Sequence, residues 1–298
     1  MEGLAFNTFW FTGVRLYLGA LMRMGSRILA SLVAFCFAAH AQSTECAEIS
    51  ASGDEATLVA DSIRPIDSIA NKLAQHYGIL ISAEEPQYLF QGDMEDVRLA
   101  DPGWSATHPK AHYLVPKRRR LEIRFPVLSN GAPRDVRQLL EQIVQIANEQ
   151  LPFAYRLDVD GEFATFVPTQ KHNAEGALIE ATPLLDLRVT IPSGTRSIAE
   201  SAKLMADSLS WQTGLHVNCC QSMVGGIPWG MKAAQFEARA EPARKVLERL
   251  IRLDQQSETA NSRKYWLQRC DSKWCSIDLY NAWGGACGSM APSSPSWH

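Results

Sequence analysis

The stretch IANKLAQHYGILIS at residues 69–82 aligns without gaps with MADSLSWQTGLHVN at residues 205–218. Each stretch reads as the end of an amphipathic helix, then a glycine of the kind that commonly ends a helix, then a short apolar strand. A second helical pattern follows in each half, at Val136-x-x-Leu139-Leu140 and at Leu247-x-x-Leu250-Ile251. The sequence therefore predicts two copies of one small domain.

Working outward from these stretches, each half shows the order strand, helix, strand, strand, helix, strand, strand. The first domain is predicted at residues 57–170, with a turn-rich and aromatic insertion at 83–120. A polar linker at 171–183 leads to the second domain at 184–281, and the small, polar tail at 282–298 is predicted to be disordered. The predicted fold class is α+β: two tandem βαββαββ domains, each with two helices packed on a small mixed sheet.

Several local predictions are specific. Residues 42–56 are polar and small and predict a flexible leader before the first domain. Pro133 is expected at the first helical position of the second helix, where proline is favoured. Asp160-Gly161 predicts the turn of a hairpin within residues 153–167. Strands are expected at 79–81 and 185–191, which are apolar or alternate in polarity.

The N-terminal region has the layout of a secretory signal peptide. Arg23 and Arg27 make a positive start, residues 28–39 are apolar, and Ala39-His40-Ala41 is a small-x-small cleavage site. We therefore expect a periplasmic or secreted protein, cleaved near Ala41. An uncleaved anchor is the alternative.

The stretch before this signal, residues 1–21, is apolar but contains Arg15. Translation that begins at Met22 or Met24 would leave the stretch out, and the sequence does not decide whether it is made. Membrane contact is expected only through the signal or anchor segment.

Six cysteines remain after cleavage, an even number that suits an oxidising compartment. They are Cys46, Cys219, Cys220, Cys270, Cys275 and Cys287. Cys270 and Cys275 bracket a short turn between two alternating runs, so we expect a disulfide across a hairpin. Such a short loop stabilises by only ~2 kcal/mol in the chain-entropy model. The pairing of the other four cysteines stays open.

Charge and motifs argue against several classes of function. The net charge of -3 gives no case for nucleic acid, and the basic run at residues 117–120 is expected to be a solvated turn before a strand. The chain has no nucleophile elbow, no glycine-rich phosphate motif and no His-Glu-x-x-His. His108 and His112 are four residues apart, but Pro109 lies between them and no third ligand is spaced with them. We therefore predict no catalytic residues, no metal and no cofactor.

The repeated pattern resembles the short N-terminal domain of secretins and of TonB-dependent transducer receptors. That family's first helix carries an apolar residue followed by alanine, then Leu-Ala, a glycine and a hydrophobic strand. The matching residues are Ile69-Ala70, Leu73-Ala74, Gly78 and Ile79-Leu80-Ile81 in the first copy, and Met205-Ala206, Leu209, Gly214, Leu215 and Val217 in the second. Ser210 replaces the second alanine. In the second helix, Val246-Leu247 with Leu250-Ile251 fits the family's two apolar pairs better than Asp135-Val136 with Leu139-Leu140.

The resemblance implies a docking role, because such domains bind partner proteins and usually precede a barrel, plug or secretin ring that this chain does not show. We therefore expect a non-enzymatic cell-envelope protein that binds another, unidentified envelope protein, in secretion or signal transduction. An exposed sheet edge is one way to accept a partner strand. The candidate partner-binding residues are Trp104, Tyr113, Trp211 and Trp229.

The rival hypothesis is an enzyme or small-ligand binder with a site between the two domains. Its candidates are Asp101, His108, His112 and the loop at Gly225-Gly226. Binding of a cell-wall glycan through exposed aromatic side chains is a third hypothesis. Convergence of the named groups in one deep pocket would favour the rival, and their scatter over separate surfaces would remove it.

Overall fold

A computed structural model of the chain describes residues 47–96, 106, 114–219, 233–257 and 263–281. All of them belong to one compact unit. The described part contains four α-helices and several small sheets, so the fold class is α+β.

The elements follow one another in chain order, here in two groups. The first group is β1 (Glu48–Ser52), β2 (Glu55–Ser62), α1 (Pro65–Tyr77), β3 (Ile81–Glu84), β4 (Met94–Asp96), β5 (Leu114–Pro116), β6 (Arg119–Pro126), α2 (Val136–Gln150), β7 (Tyr155–Asp160), β8 (Phe163–Pro168), β9 (Gln170–His172) and β10 (Leu178–Glu180). The second group is β11 (Arg188–Ser197), α3 (Ile198–Thr213), β12 (His216–Cys219), β13 (Ala233–Pro242), α4 (Ala243–Ser257), β14 (Lys264–Cys270) and β15 (Trp274–Asn281). We call residues 47–180 the first half and residues 184–281 the second half.

The two helices predicted from the aligned stretches are present, and their ends follow from local chemistry. Helix α1 ends at Gly78 and helix α3 at Gly214, both in the left-handed conformation that glycine adopts at low cost. Ser197 caps α3: its hydroxyl accepts from the Glu200 amide, and the Glu200 carboxylate accepts from the Ser197 amide. These caps fix where each helix stops and the following strand begins.

A six-stranded sheet runs through both halves in the order β12-β15-β14-β3-β8-β7. Strands β14 and β3 are parallel and adjacent, with Leu267 opposite Ala83 and Gln268 opposite Glu84. This pairing is the junction between the halves, because each half contributes the three strands on its own side. Two smaller sheets, β1-β2-β6 and β11-β13, belong to one half each.

The pairings on the two sides of the junction share one pattern. Strand β3 is parallel to β8, which is antiparallel to β7; strand β12 is parallel to β15, which is antiparallel to β14. Ile81 lies opposite Ala164, which faces Val159 in the hairpin. In the same way Val217 lies opposite Cys275, which faces Cys270. Four residues lie between the paired residues Val159 and Ala164, and four lie between Cys270 and Cys275, so positions in one hairpin can be matched with positions in the other.

The two hydrophobic cores lie on opposite faces of this sheet. One core is made by helices α1 and α2 and includes Tyr265 and Leu267 from the second half. The other is made by α3 and α4 and includes Phe163 from the first half together with Trp266. Because successive residues of a strand point to opposite faces, β14 supplies side chains to both cores. The halves therefore share hydrophobic packing across the junction.

The structure corrects several local predictions. Residues 48–52 of the predicted flexible leader form strand β1, paired with β2. Helix α2 begins at Val136 with Asp135 as its cap, so Pro133 does not open it. The predicted linker region holds the hairpin of β9 and β10.

Other strand and turn predictions hold with shifted bounds. The strand after Gly78 begins at Ile81, and the strand expected at 185–191 begins at Arg188, after a short 3-10 turn. The predicted hairpin is present, but its turn residues are Gly161 and Glu162, one position later than predicted, with Gly161 at positive φ. The signal segment and the tail at 282–298 lie outside the described residues.

The predicted disulfide between Cys270 and Cys275 is present, and both residues are buried. It joins directly opposed residues of β14 and β15. Cys219 is disulfide-bonded as well. Cys46, Cys220 and Cys287 lie outside the described residues.

Candidate functional site

Strand β12 is one end of the six-stranded sheet. It pairs with β15 on one side, and among the described strands none pairs with its other side. The strand is short and begins at the exposed residue His216. An open edge of this kind presents backbone donors and acceptors to another strand.

Two exposed tryptophans lie near the start of this open edge. Trp211 is in the last turn of α3, and its side chain is 88% exposed. Trp274 lies opposite His216 at the start of β15 and is 38% exposed. Large aromatic side chains are enriched at protein interfaces, because they bury much apolar area at low cost in side-chain entropy. We define the β12 surface as this edge with Trp211 and Trp274.

Charged residues also lie on the exposed side of α3. Lys203 donates to Asp207 at 2.6 Å, and both side chains are more than half exposed. Residues 203, 207 and 211 are spaced by four, so they lie along one side of the helix. The β12 surface thus combines an open strand edge, aromatic side chains and charges of both signs.

The junction, by contrast, is closed by buried ion pairs. Arg244 of α4 donates to both carboxylate oxygens of Glu84 on β3, at 2.7 and 2.8 Å, and their side chains are 6% and 0% exposed. Arg244 also contacts Asp158 and Asp186. Burial alone would lower the pKa of Arg244, but the hydrogen bonds and charge of Glu84 outweigh it and raise that pKa. The guanidinium therefore stays charged and holds α4 against the first half.

Arg156 of the first half contacts Asp186 of the second half at 2.9 Å, and three further ion pairs cross the junction with the polarity of the Arg244–Glu84 pair. In each, the second half supplies the cation and the first half the carboxylate: Arg269 with Asp67, Lys245 with Asp160, and Arg252 with Glu162. The guanidinium of Arg252 also lies 5.0 Å from the centre of the Phe163 ring. These ion pairs add to the hydrophobic packing that the halves share at the junction.

A cavity of about 260 Å³ lies beside the disulfide, between the halves. Its wall includes the side chains of Glu85, Gln268 and Leu215. Glu85 accepts from the Arg64 guanidinium at 3.0 Å and from the Cys270 amide at 3.3 Å. Burial raises the pKa of the Glu85 carboxyl to about 7, against the opposing charge of Arg64.

This shift predicts a pH-dependent stability. The folded state holds the Glu85 proton up to about pH 7, whereas the unfolded chain releases it near its ordinary pKa of 4.5. The free energy of unfolding should therefore fall as the pH rises between these two values. Glu85→Gln should reduce the difference in urea midpoint between pH 5 and pH 8, because glutamine does not titrate.

The control for this prediction is Glu175→Gln, an exposed glutamate in the turn between β9 and β10. We expect it to leave the difference between the two pH values unchanged. An E85Q variant whose midpoint still moves with pH as in the parent would show that another group carries the dependence.

The structure places one of the four predicted partner-binding residues. Trp211 is exposed, while Trp104, Tyr113 and Trp229 lie outside the described residues. The candidates of the rival hypothesis lie outside them as well: Asp101, His108, His112 and Gly225-Gly226. Across the described ranges, no group of three or more metal-ligating side chains comes together.

Trp274 is a candidate that the sequence did not single out. In the sequence it lies between the two bonded cysteines, and only its place opposite His216 shows that it borders an open edge. The basic run at 117–120 is exposed as expected; Arg118 contacts Asp61 at 2.7 Å and Arg120 contacts Glu122 at 3.1 Å.

Comparisons with protein-family profiles, curated proteins and solved structures found no match for this chain. Among the described residues, no helix combines the length and apolar character that crossing a membrane requires.

Proposed function

We propose that this chain is an exported, non-enzymatic docking protein of the cell envelope, which binds another protein through the β12 surface. It is built from two copies of one βαββαββ domain, similar to the short N-terminal domain of secretins and TonB-dependent transducer receptors. The proposal includes no cofactor and no nucleic acid. The partner acts in secretion or signal transduction.

The duplication is supported by the matching strand registers of the two halves. The pair Val217 and Cys275 occupies the place that Ile81 and Ala164 occupy in the first half. The alignment of residues 69–82 with 205–218 assigns Ile81 to Val217 independently. Sequence and register thus agree on one alignment.

The docking role is carried by one observation: Trp211 is 88% exposed beside an open sheet edge. A tryptophan exposed in this way offers a large apolar area that a partner protein can bury at low cost in side-chain entropy. Burial by a partner protein would use that area, and Trp274 adds a second exposed aromatic side chain next to β12. Export follows from the signal-peptide pattern at residues 22–41.

The test is capture from an extract of the cell envelope by the immobilised chain. The parent should retain a reproducible partner, and the W211A/W274A double variant should lose it. The matched control is L178A/I179A, which removes two exposed apolar side chains from β10. The same retained proteins in parent and W211A/W274A would contradict the proposal.

The cavity beside Glu85 supports a second candidate, binding of a small ligand between the halves. A pocket of this size with one protonatable carboxyl and the nearby Lys171 would suit a small polar molecule. Thr182→Trp, which narrows the cavity, separates the two candidates. Docking through the β12 surface should survive this substitution, whereas a ligand function should not.

A further inference from the structure

The two ends of the six-stranded sheet correspond to the two strands that meet at its junction. By the matched registers, β7 corresponds to β14 and β12 corresponds to β3. At the junction, β14 pairs with β3. Among the described strands, β7 and β12 each lack a partner on the corresponding side. The outer strands β7 and β12 are therefore the counterparts of β14 and β3, the two strands that pair at the junction.

The strand directions allow the same pairing between two copies. Strands β14, β3 and β8 run one way, while β7, β15 and β12 run the other way. Strand β7 of one copy is thus parallel to β12 of another copy placed beside it in the same orientation. That is the parallel arrangement seen between β14 and β3.

The exposed Trp274 corresponds to a residue that the junction buries. Its counterpart in the other hairpin is Phe163, which is 2% exposed and lies against Trp266 and Arg252. Trp274 therefore occupies a position that is covered wherever this contact forms. In the described part of one chain, it is left 38% exposed.

The charges around this position are also matched, with both signs reversed. At the junction, Arg252 of α4 contacts Glu162, at 3.4 Å. Arg252 directly follows the apolar pair Leu250-Ile251, and in α2 the residue after Leu139-Leu140 is Glu141. The counterpart of Glu162 is Lys273. A copy-to-copy contact thus brings Glu141 to Lys273.

A second ion pair, on the other face of the sheet, also has counterparts with both charges reversed. Arg269 contacts Asp67 across the junction at 2.7 Å. The counterpart of Arg269 is Asp158, and the counterpart of Asp67 on α3 is Lys203. Opposite charges again meet, although each has changed sign. Reversal of both partners preserves attraction.

The counterpart of Trp211 in α1 also lies close to the junction. Trp211 aligns with Gln75, whose side chain donates to Asn71. Asn71 in turn accepts from the Tyr265 hydroxyl across the junction at 2.6 Å. The counterpart of Trp274 is thus buried at the junction, and the counterpart of Trp211 lies beside a residue that hydrogen-bonds across it.

From these correspondences we propose that the partner at the β12 surface is a second copy of this chain, joined through its β7 edge and α2. The contact is head to tail, so it leaves one free edge at each end and continues beyond a dimer. The inference rests on the proposed docking function of the β12 surface and names its partner.

Sedimentation velocity of the purified chain tests this, over concentrations from about 1 to about 300 µM. The weight-average mass should rise with concentration and pass that of a dimer. Glu141→Lys and Lys273→Glu should each weaken association at least about tenfold, because each brings like charges together. Combining both in one chain should restore association, since the contact again joins opposite charges.

The control is Glu175→Lys, a charge reversal in the turn between β9 and β10, which should leave association unchanged. A monodisperse monomer over the whole range would overturn the inference. So would association that neither E141K nor K273E weakens, or a loss that the double reversal fails to restore.

Failure of this inference is distinguishable from failure of the docking function. A chain that stays monomeric, yet captures a different protein in a manner lost in W211A/W274A, would keep the docking function and remove self-assembly. A monomer that captures nothing would remove both.

Discussion

Replacing Arg244 with alanine should lower the free energy of unfolding by about 3–5 kcal/mol. The arginine is the only described cation hydrogen-bonded to Glu84, whose side chain is fully buried at the junction. Its loss leaves a buried carboxylate without its hydrogen-bonded counter-charge. Urea unfolding at pH 8 measures the effect.

The pH dependence of this effect identifies its cause. Burial raises the pKa of Glu84, and the loss of Arg244 should raise that pKa further. At pH 5 the variant can therefore protonate Glu84 and recover part of its stability.

The control is Arg137→Ala, which breaks the exposed pair with Glu141 in α2 and should cost no more than about 0.5 kcal/mol. An R244A variant as stable as R137A would show that the buried pair does not hold the junction.

Replacing Trp266 with alanine should cost about 3–5 kcal/mol. Trp266 is fully buried in β14, with its ring centre 6.0 Å from that of Phe163 in the first half. Because the side chain packs between residues of both halves, its loss should shift one cooperative transition. Thermal unfolding followed by far-UV circular dichroism would show one lowered midpoint.

Trp211→Ala is the matched control, since it removes the same side chain from a position 88% exposed. We expect a change in stability within about 0.5 kcal/mol, together with loss of partner binding. If W266A instead produced two separate transitions, the halves would unfold independently, and the packing that they share would contribute little to the free energy of unfolding.

The helices and hairpins were predictable because each is set by nearby residues. Apolar spacing gave α1 and α3, and Gly78 and Gly214 marked their ends. The dipeptide Asp160-Gly161 and the bonded pair of cysteines defined two hairpins. In each case the signal lies within a few residues of the structure that it specifies.

The junction was not predictable, because it joins strands far apart in the chain. Strands β14 and β3 are separated by about 180 residues, and the residues of either strand do not indicate which strand will pair with it. The charge on Glu84 and Arg244 reads as a surface feature until the two residues are brought together. Strand β1 was not predictable for a different reason: apart from Ile49 its residues are polar or small, and most are exposed, so they show no clear alternation.

Of the two tryptophans on the β12 surface, the sequence predicted only Trp211. Trp211 stood out as a tryptophan in the aligned helix, whereas Trp274 lies between the two bonded cysteines. Its role depends on the residues that it faces, and those come from β12. The correspondence between Trp274 and Phe163 required the registers of both hairpins.

The most direct test of docking through the β12 surface is photocrosslinking from position 274. A photoreactive phenylalanine analogue in place of Trp274 should give adducts, in cells that naturally make the protein, with α2 or β7 of a second copy. The same analogue at Leu178 serves as the reference. Adducts at position 274 that are no more abundant than those at position 178 would contradict the account.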